Sequence, residues 1–191
     1  MGDGAMRLER LVSEIKQKGG TKRPLLIGVE GYGGSGKTTV ARQLAIALGN
    51  AFVVALDDFI VKEKLTEPSW EHGVFDRDRL ERQVLAPARN GQPIRYQRLD
   101  WATNTLGESV VVPAVDYLIV EGITAYHPTI ERYYDVKIWI QTPLELAAHR
   151  GRARDGSAEN SAHWDLWARN DRAYQRRYHP KRRADYICRN A

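Results

Sequence analysis

Cysteine occurs once in the 191 residues, at Cys188. A single thiol closes no internal disulfide and supplies no cysteine cluster for a metal, so a disulfide scaffold and a zinc module are excluded and a reducing compartment is expected. Cys188 reads as a small buried hydrophobe. No apolar run approaches the roughly 20 residues needed to span a bilayer, and the stretch from Met1 to Gly20 lacks the apolar centre of a secretory leader. A cytoplasmic protein with no membrane partner is the expectation. Internal repeats and low-complexity tracts are missing too. What is present is ordinary globular usage, 42% hydrophobic and 28% charged, which argues against disorder, collagen and coiled coil and for one domain over residues 1–191.

Charge is unevenly placed. The formal net charge is +5, and residues 150–191 hold eleven basic and five acidic side chains. Such a segment suits nucleic acid, a solvated helix face, or arginines closing over a polyphosphate.

Leu8, Leu11, Val12 and Ile15 recur at helical spacing, so a helix is expected over 6–18, stopped by Gly19 and Gly20. The runs at 25–29, 51–56, 116–120 and 136–140 are short and continuously apolar, as strands covered on both faces are. Four such strands separated by helical stretches point to a doubly wound α/β sheet, whose ligands collect at the carboxyl ends of the strands. Asp57, Asp58 and Glu121 stand at such ends. Between the second and third strands, about 60–113, lies a segment too long for a plain connection and suited to binding a substrate. It holds a helix near 78–89 and extended pieces near 93–98 and 108–112. Thr142 to Glu145 reads as a capping box with Pro143 at the first helical position, and a later helix is expected over 160–178.

Residues Gly31 to Thr38 satisfy GxxxxGKT, directly after a strand and opening a helix. Glycines at 33, 34 and 36, with Ser35, let backbone amides wrap a phosphate. The helix start carrying Lys37, Thr38 and Thr39 adds a favourable dipole, Lys37 reaches the outer phosphates, and Thr38 offers its hydroxyl to Mg²⁺. Gly31, Gly33 and Gly36 also fit the GxGxxG of a dinucleotide fold, with Asp57 at a suitable spacing. A dinucleotide turn, however, needs neither an ammonium nor a magnesium hydroxyl beside its last glycine. A nucleoside triphosphate with Mg²⁺ is the implied ligand, and ATP the better reading, since no guanine-reading NKxD is present.

IGVEGYGGSGKTTVARQLA, then LDDF, YLIVEGI and KIWIQTPLELAAHRGRARDG, resemble in order the uridine kinase and phosphoribulokinase family of phosphate-loop kinases over about 25–190. The resemblance implies a three-layer α/β/α fold with a parallel sheet, the phosphate-loop nucleoside triphosphate hydrolase fold of the NMP-kinase type, and ATP-dependent transfer of a γ-phosphoryl group to a small-molecule hydroxyl. It implies that Asp57 is the base towards that hydroxyl, a role a carboxylate at this strand end can fill. Asp58 is left to the acceptor, to a cap or to water around the metal. Glu121 matches an acid that helps hold Mg²⁺ or orients the acceptor. Arg150 and Arg154 match lid arginines of a segment at about 150–160, four apart and so on one helix face.

Uridine kinases carry a YDYxxHTR-like segment for the nucleoside. The nearest stretch keeps Asp100 and an aromatic, Trp101, but has Leu99, Asn104 and Leu106 at the tyrosine, histidine and arginine positions. Tyr96, Asp100 and Trp101 are the expected acceptor contacts, with the acceptor itself, nucleoside or other polyol, left open. Trp164 and Trp167 read as packing residues. The competing readings are a nucleotide-gated binding protein that recruits a partner through the basic lid, and nucleic-acid binding through 150–183. A small-molecule acceptor is preferred to either.

Overall fold

Strands without apolar–polar alternation need cover on both faces, and the computed structural model provides it; it describes residues 7–19, 23–156 and 158–189. The strands are β1 (Leu25–Glu30), β2 (Ala51–Ala55), β3 (Arg95–Asp100), β4 (Thr105–Val111), β5 (Tyr117–Gly122), β6 (Val136–Gln141) and β7 (Tyr186–Arg189). Five of them form one sheet in the order β2-β5-β1-β6-β7, with every pairing parallel. β3 and β4 form a separate antiparallel hairpin. The helices are α1 (Leu8–Lys18), α2 (Lys37–Leu48), α3 (Arg77–Leu80), α4 (Ala86–Arg89), α5 (Leu144–Asp155), α6 (Ala158–Tyr178) and α7 (Pro180–Arg183). Among the described residues no helix is long and apolar enough to cross a membrane.

The twofold period of a strand divides the core into two layers. Ile27, Val29 and Ile119 face Leu11 and Ile15 of α1 and Val40, Ala41 and Leu44 of α2. Leu26, Leu118 and Val120 face the opposite way, onto Phe59, Trp70, Leu80, Tyr96, Tyr126 and Tyr174. The same alternation sends Glu121 towards α2 and Glu30 towards the other layer, so two carboxylates at neighbouring strand ends serve different surroundings.

Three expectations change. The sheet has five parallel strands instead of four, because β7 pairs with β6 at the edge; its apolar run, Tyr186 to Cys188, is too short to mark a strand, and Tyr186 and Ile187 are only half-buried. The helix near 78–89 is α3 and α4 joined by a π turn over Glu81–Leu85; Pro87, which follows, has no N–H to give to the preceding turn. The capping box does not form: Pro143 occupies the cap position without a side-chain cap bond. The Thr142 hydroxyl instead donates to the Ser35 carbonyl at 3.1 Å, a tertiary bond that ties the start of α5 to the glycine loop. The expected helix limits at Met6 and Gly20 lie outside the described residues.

Helices α5 and α6 meet where α5 has no side chain. A Cβ on Gly151 would stand 2.1 Å from the Trp164 ring, far inside contact distance. Gly151→Ala is therefore expected to push the helices apart and to cost about 1–3 kcal/mol of stability, the usual range for overpacking. Urea unfolding reads this as a lower midpoint at unchanged slope; an unchanged midpoint would contradict the packing.

Candidate active site

Helix α2 begins directly after the glycine loop, with Gly36 as its N-cap at φ 87° and no side-chain cap. Gly34 is also left-handed, at φ 77°. A β-carbon at either position would be strained, and one at Gly34 would fall 2.0 Å from the Ala147 carbonyl of α5. The loop is thus pressed against α5, and the first-turn amides of α2 begin without a side-chain cap, the kind of helix start at which an anion can be bound. Lys37 lies within the loop, its Nζ 3.5 Å from the Tyr32 carbonyl.

Thr38, one residue into α2, donates its hydroxyl to Glu121 Oε1 at 2.9 Å. Glu121 is held between Val29 and Ala55 by the register of β5 with β1 and β2, and it is 5% exposed. Burial raises its pKa, opposed by the Lys37 ammonium and the Thr38 bond and reinforced by the charge of Asp57. Four of the residues picked out from sequence, Lys37, Thr38, Asp57 and Glu121, therefore converge on one point. Asp57 lies two residues past the partner of Glu121, in the 3₁₀ turn Leu56–Phe59 that ends β2. Its carboxylate is exposed and makes no hydrogen bond or ion pair with any described residue.

Asp58 is turned away from this point. It pairs with Arg98 of the hairpin at 3.6 Å, and burial is the first cause of its raised pKa. Arg79 braces the same turn, donating to the Asp58 and Gln97 carbonyls with its guanidinium 4.3 Å over the Phe59 ring. Tyr96 is 1% exposed and stacks on Phe59 at 5.5 Å, so its ring is core. Asp100 accepts from the Ala102 and Thr103 amides and shapes the hairpin turn. Trp101 is 46% exposed at the tip, its carbonyl bound by Lys62. Arg150 and Arg154 flank the Ala147–Gly151 face of α5 that meets the loop. Arg150 is exposed, and Arg154 pairs with neighbouring Asp155 at 3.0 Å. Arg152 pairs instead with Asp165 of α6. Ser157, within the expected lid, lies outside the described residues.

Two groups escaped the reading of the sequence. Asp171 of α6 is 4% exposed, accepting from the Gly33 amide at 2.9 Å and from the Trp70 indole at 2.8 Å. Burial pushes its carboxyl up to about 6, against the pull of those two donors and of Lys37. The available signal was an aspartate inside the aromatic stripe Trp164, Trp167, Tyr174. The second is Glu30, which precedes the loop, is fully buried, and accepts from the Tyr126 amide at 3.0 Å. Burial pushes it up to about 8, partly offset by the Tyr126 amide and by Arg183.

The AAA domain family model matches residues 27–185. The chain is 33% identical over 141 residues to the uridine kinase of Staphylococcus epidermidis, covering 68% of each chain. It is 30% identical over 155 residues to that of Latilactobacillus sakei, covering 76% of this chain and 73% of the relative. The chain belongs to the uridine kinase family. A structure described as a possible uridine kinase from Bacillus stearothermophilus superposes with a TM-score of 0.73 at 19% identity, covering 95% of this chain and 96% of that one. At that identity it supports the fold. Members of this family are phosphate-loop kinases, and the protein is an ATP-dependent small-molecule kinase, a phosphotransferase with an alcohol group as acceptor.

Glu30 lies beneath the loop of this kinase and generates a pH dependence. Its folded pKa is raised, so the folded state holds more protons and Glu30 costs stability progressively as pH climbs from about 4.5 to about 8. Glu30→Gln keeps an acceptor for the Tyr126 amide without the charge. Its stability relative to wild type should rise by roughly 1 kcal/mol or more between pH 5 and 8, read from urea midpoints; a difference independent of pH would show that Glu30 does not titrate in this way.

Proposed function

We propose that the converging residues hold Mg²⁺ and the triphosphate of ATP and pass its terminal phosphoryl group to a hydroxyl of a small acceptor. The observation that carries this reading is the Thr38–Glu121 hydrogen bond, with Lys37 and Asp57 both acting on the same carboxylate. The donor set suits magnesium: a threonine hydroxyl beside a carboxylate is a sparse oxygen set, and Mg²⁺ keeps most of its waters and borrows phosphate oxygens. Among the described residues no group of three or more His, Cys, Asp or Glu is arranged to hold a metal unaided, which fits that mode better than a protein cage.

The loop amides up to Thr39, other than those of Gly33 and Ser35, which Asp171 and the Tyr32 carbonyl already take, bind and orient the outer phosphates together with the Lys37 ammonium. Thr38 and Glu121 hold the metal, directly or through its waters, and the metal, when bound, neutralises charge on the transferring group. Asp57, exposed and unpaired, accepts the proton of the attacking hydroxyl. Arg150 and Arg154, exposed beside the Ala147–Gly151 face of α5 that meets the loop, close over the phosphates and balance the charge that develops there.

The single domain, in this reading, divides its labour. The segment about 60–113 binds the acceptor and that about 150–160 is the lid. Tyr96, Asp100 and Trp101 belong to the first, and Asp58 stands in the turn just before it. Asp58 and Tyr96 act through the Arg98 pair and the Phe59 stack that shape the turn, while Asp100 and Trp101 stand at the hairpin tip. The curated relatives are named for uridine, so uridine is the first acceptor to try. The hairpin's Leu99, Asn104 and Leu106 favour including sugars and other polyols beside it.

Asp57→Asn should bind ATP as the wild type does while transferring phosphate about 10²–10⁴-fold more slowly, the scale of a lost general base. Turnover that survives the substitution would remove Asp57 from the reaction.

A further inference from the structure

Burying a carboxylate is costly unless its oxygens are fully engaged. On α6 the same face carries Trp164, Trp167 and Tyr174, all packed into the molecule, so packing alone gives no reason for an acid at 171. Its two oxygens are divided between different parts of the kinase. Oδ2 takes the Gly33 amide of the phosphate loop, and Oδ1 takes the indole of Trp70, within the segment assigned to the acceptor. Trp70 is anchored in turn from the acceptor side: its carbonyl accepts from Arg77, whose guanidinium also reaches the Thr124 hydroxyl just past the end of β5. The lid joins at the same place, because the Trp164 ring covers Gly33 as well as Gly151. Loop and acceptor segment thus meet at one carboxylate, and the lid packs beside it through Trp164.

We propose that Asp171 is a positioning residue that couples the phosphate loop to the acceptor segment through its paired hydrogen bonds to the Gly33 amide and the Trp70 indole. The proposal rests on the kinase reading for its consequence and on geometry for its existence. A shift of the Gly33 amide when an anion seats in the loop moves the carboxylate, and the carboxylate moves Trp70. Both oxygens must be acceptors for this to work. The two donors sit on different oxygens, so in Asp171→Asn the amide oxygen replaces one of them and the NH₂ group, at the place of the other, confronts its donor. Adding Trp70→Phe removes that confrontation, so the second substitution should cost little in the Asn background.

The test follows the Trp70 indole N–H by ¹⁵N-correlated NMR during titration with ADP, with the resonance assigned by its absence in Trp70→Phe. It is combined with turnover and ADP affinity for wild type, Asp171→Asn, Trp70→Phe and the double variant. In wild type the indole resonance should shift on ADP binding, and in Asp171→Asn that shift should vanish. Turnover in Asp171→Asn should fall about tenfold or more, as small misplacements of a reacting group do, while ADP affinity changes by less than about threefold. The double variant should be no slower than Asp171→Asn alone. An indole shift that survives Asp171→Asn, turnover and ADP affinity lost in parallel, or losses that multiply in the double variant would each overturn the coupling. Should Asp171→Asn not fold, Trp70→Phe decides: slowed turnover at unchanged ADP affinity supports the proposal, and unchanged turnover overturns it. An indole shift in wild type without phosphorylation of any acceptor would leave the clasp standing and the kinase reading without support.

Discussion

An α-helix that starts with no side chain capping its first turn leaves amide donors in search of an acceptor. In this chain α2 starts that way at Gly36, and much of the molecule is arranged around the consequence. The parallel sheet brings the ends of β1, β2 and β5 to the same edge as those amides. Strand alternation turns Glu121 to the α2 side, where it receives the Thr38 hydroxyl. The α5 helix approaches through Gly151 and Ala147 so closely that only glycine is accommodated at Gly34. In the function proposed here, a phosphate chain with its metal is the ligand whose charge and oxygen spacing answer this set of donors, ammonium and carboxylate together.

The acids around the loop show how one fold separates the duties of like groups. Glu30, Glu121 and Asp171 are buried and share a raised pKa with burial as the first cause, yet each is fastened differently: to the Tyr126 amide, to a threonine hydroxyl, and to two donors from distant segments. Asp57 alone of the acids at this edge is exposed and unpaired among the described residues. Burial with partners suits holding and orienting, while exposure at a strand tip suits meeting an incoming hydroxyl.

The parts of this arrangement legible in the sequence were those with local causes. Continuous apolar runs revealed β1, β2, β5 and β6 because both faces of each are covered, and the glycine–lysine–threonine spacing located the loop because it is a local pattern, read within eight residues. What escaped depends on contacts between distant segments. Asp171 meets Gly33 across 138 residues of sequence, and no spacing rule along α6 announces it. Thr142 abandoned its cap for the Ser35 carbonyl, which local propensity does not foresee. β7 is a short, half-buried edge strand whose pairing with β6 is its only mark. Tyr96 looked like an acceptor contact on the hairpin, but strand alternation turned it onto Phe59 and into the core.

Phosphate transfer itself is the direct measure of the central claim. The protein is incubated with ATP labelled at the terminal phosphate and Mg²⁺, in the presence of uridine and a panel of sugars and polyols, and labelled products are separated. The account predicts an acceptor that becomes labelled only when magnesium is supplied and not at all when Lys37 is replaced by alanine. ATP held firmly in the loop, with no hydroxyl compound ever labelled, would contradict it.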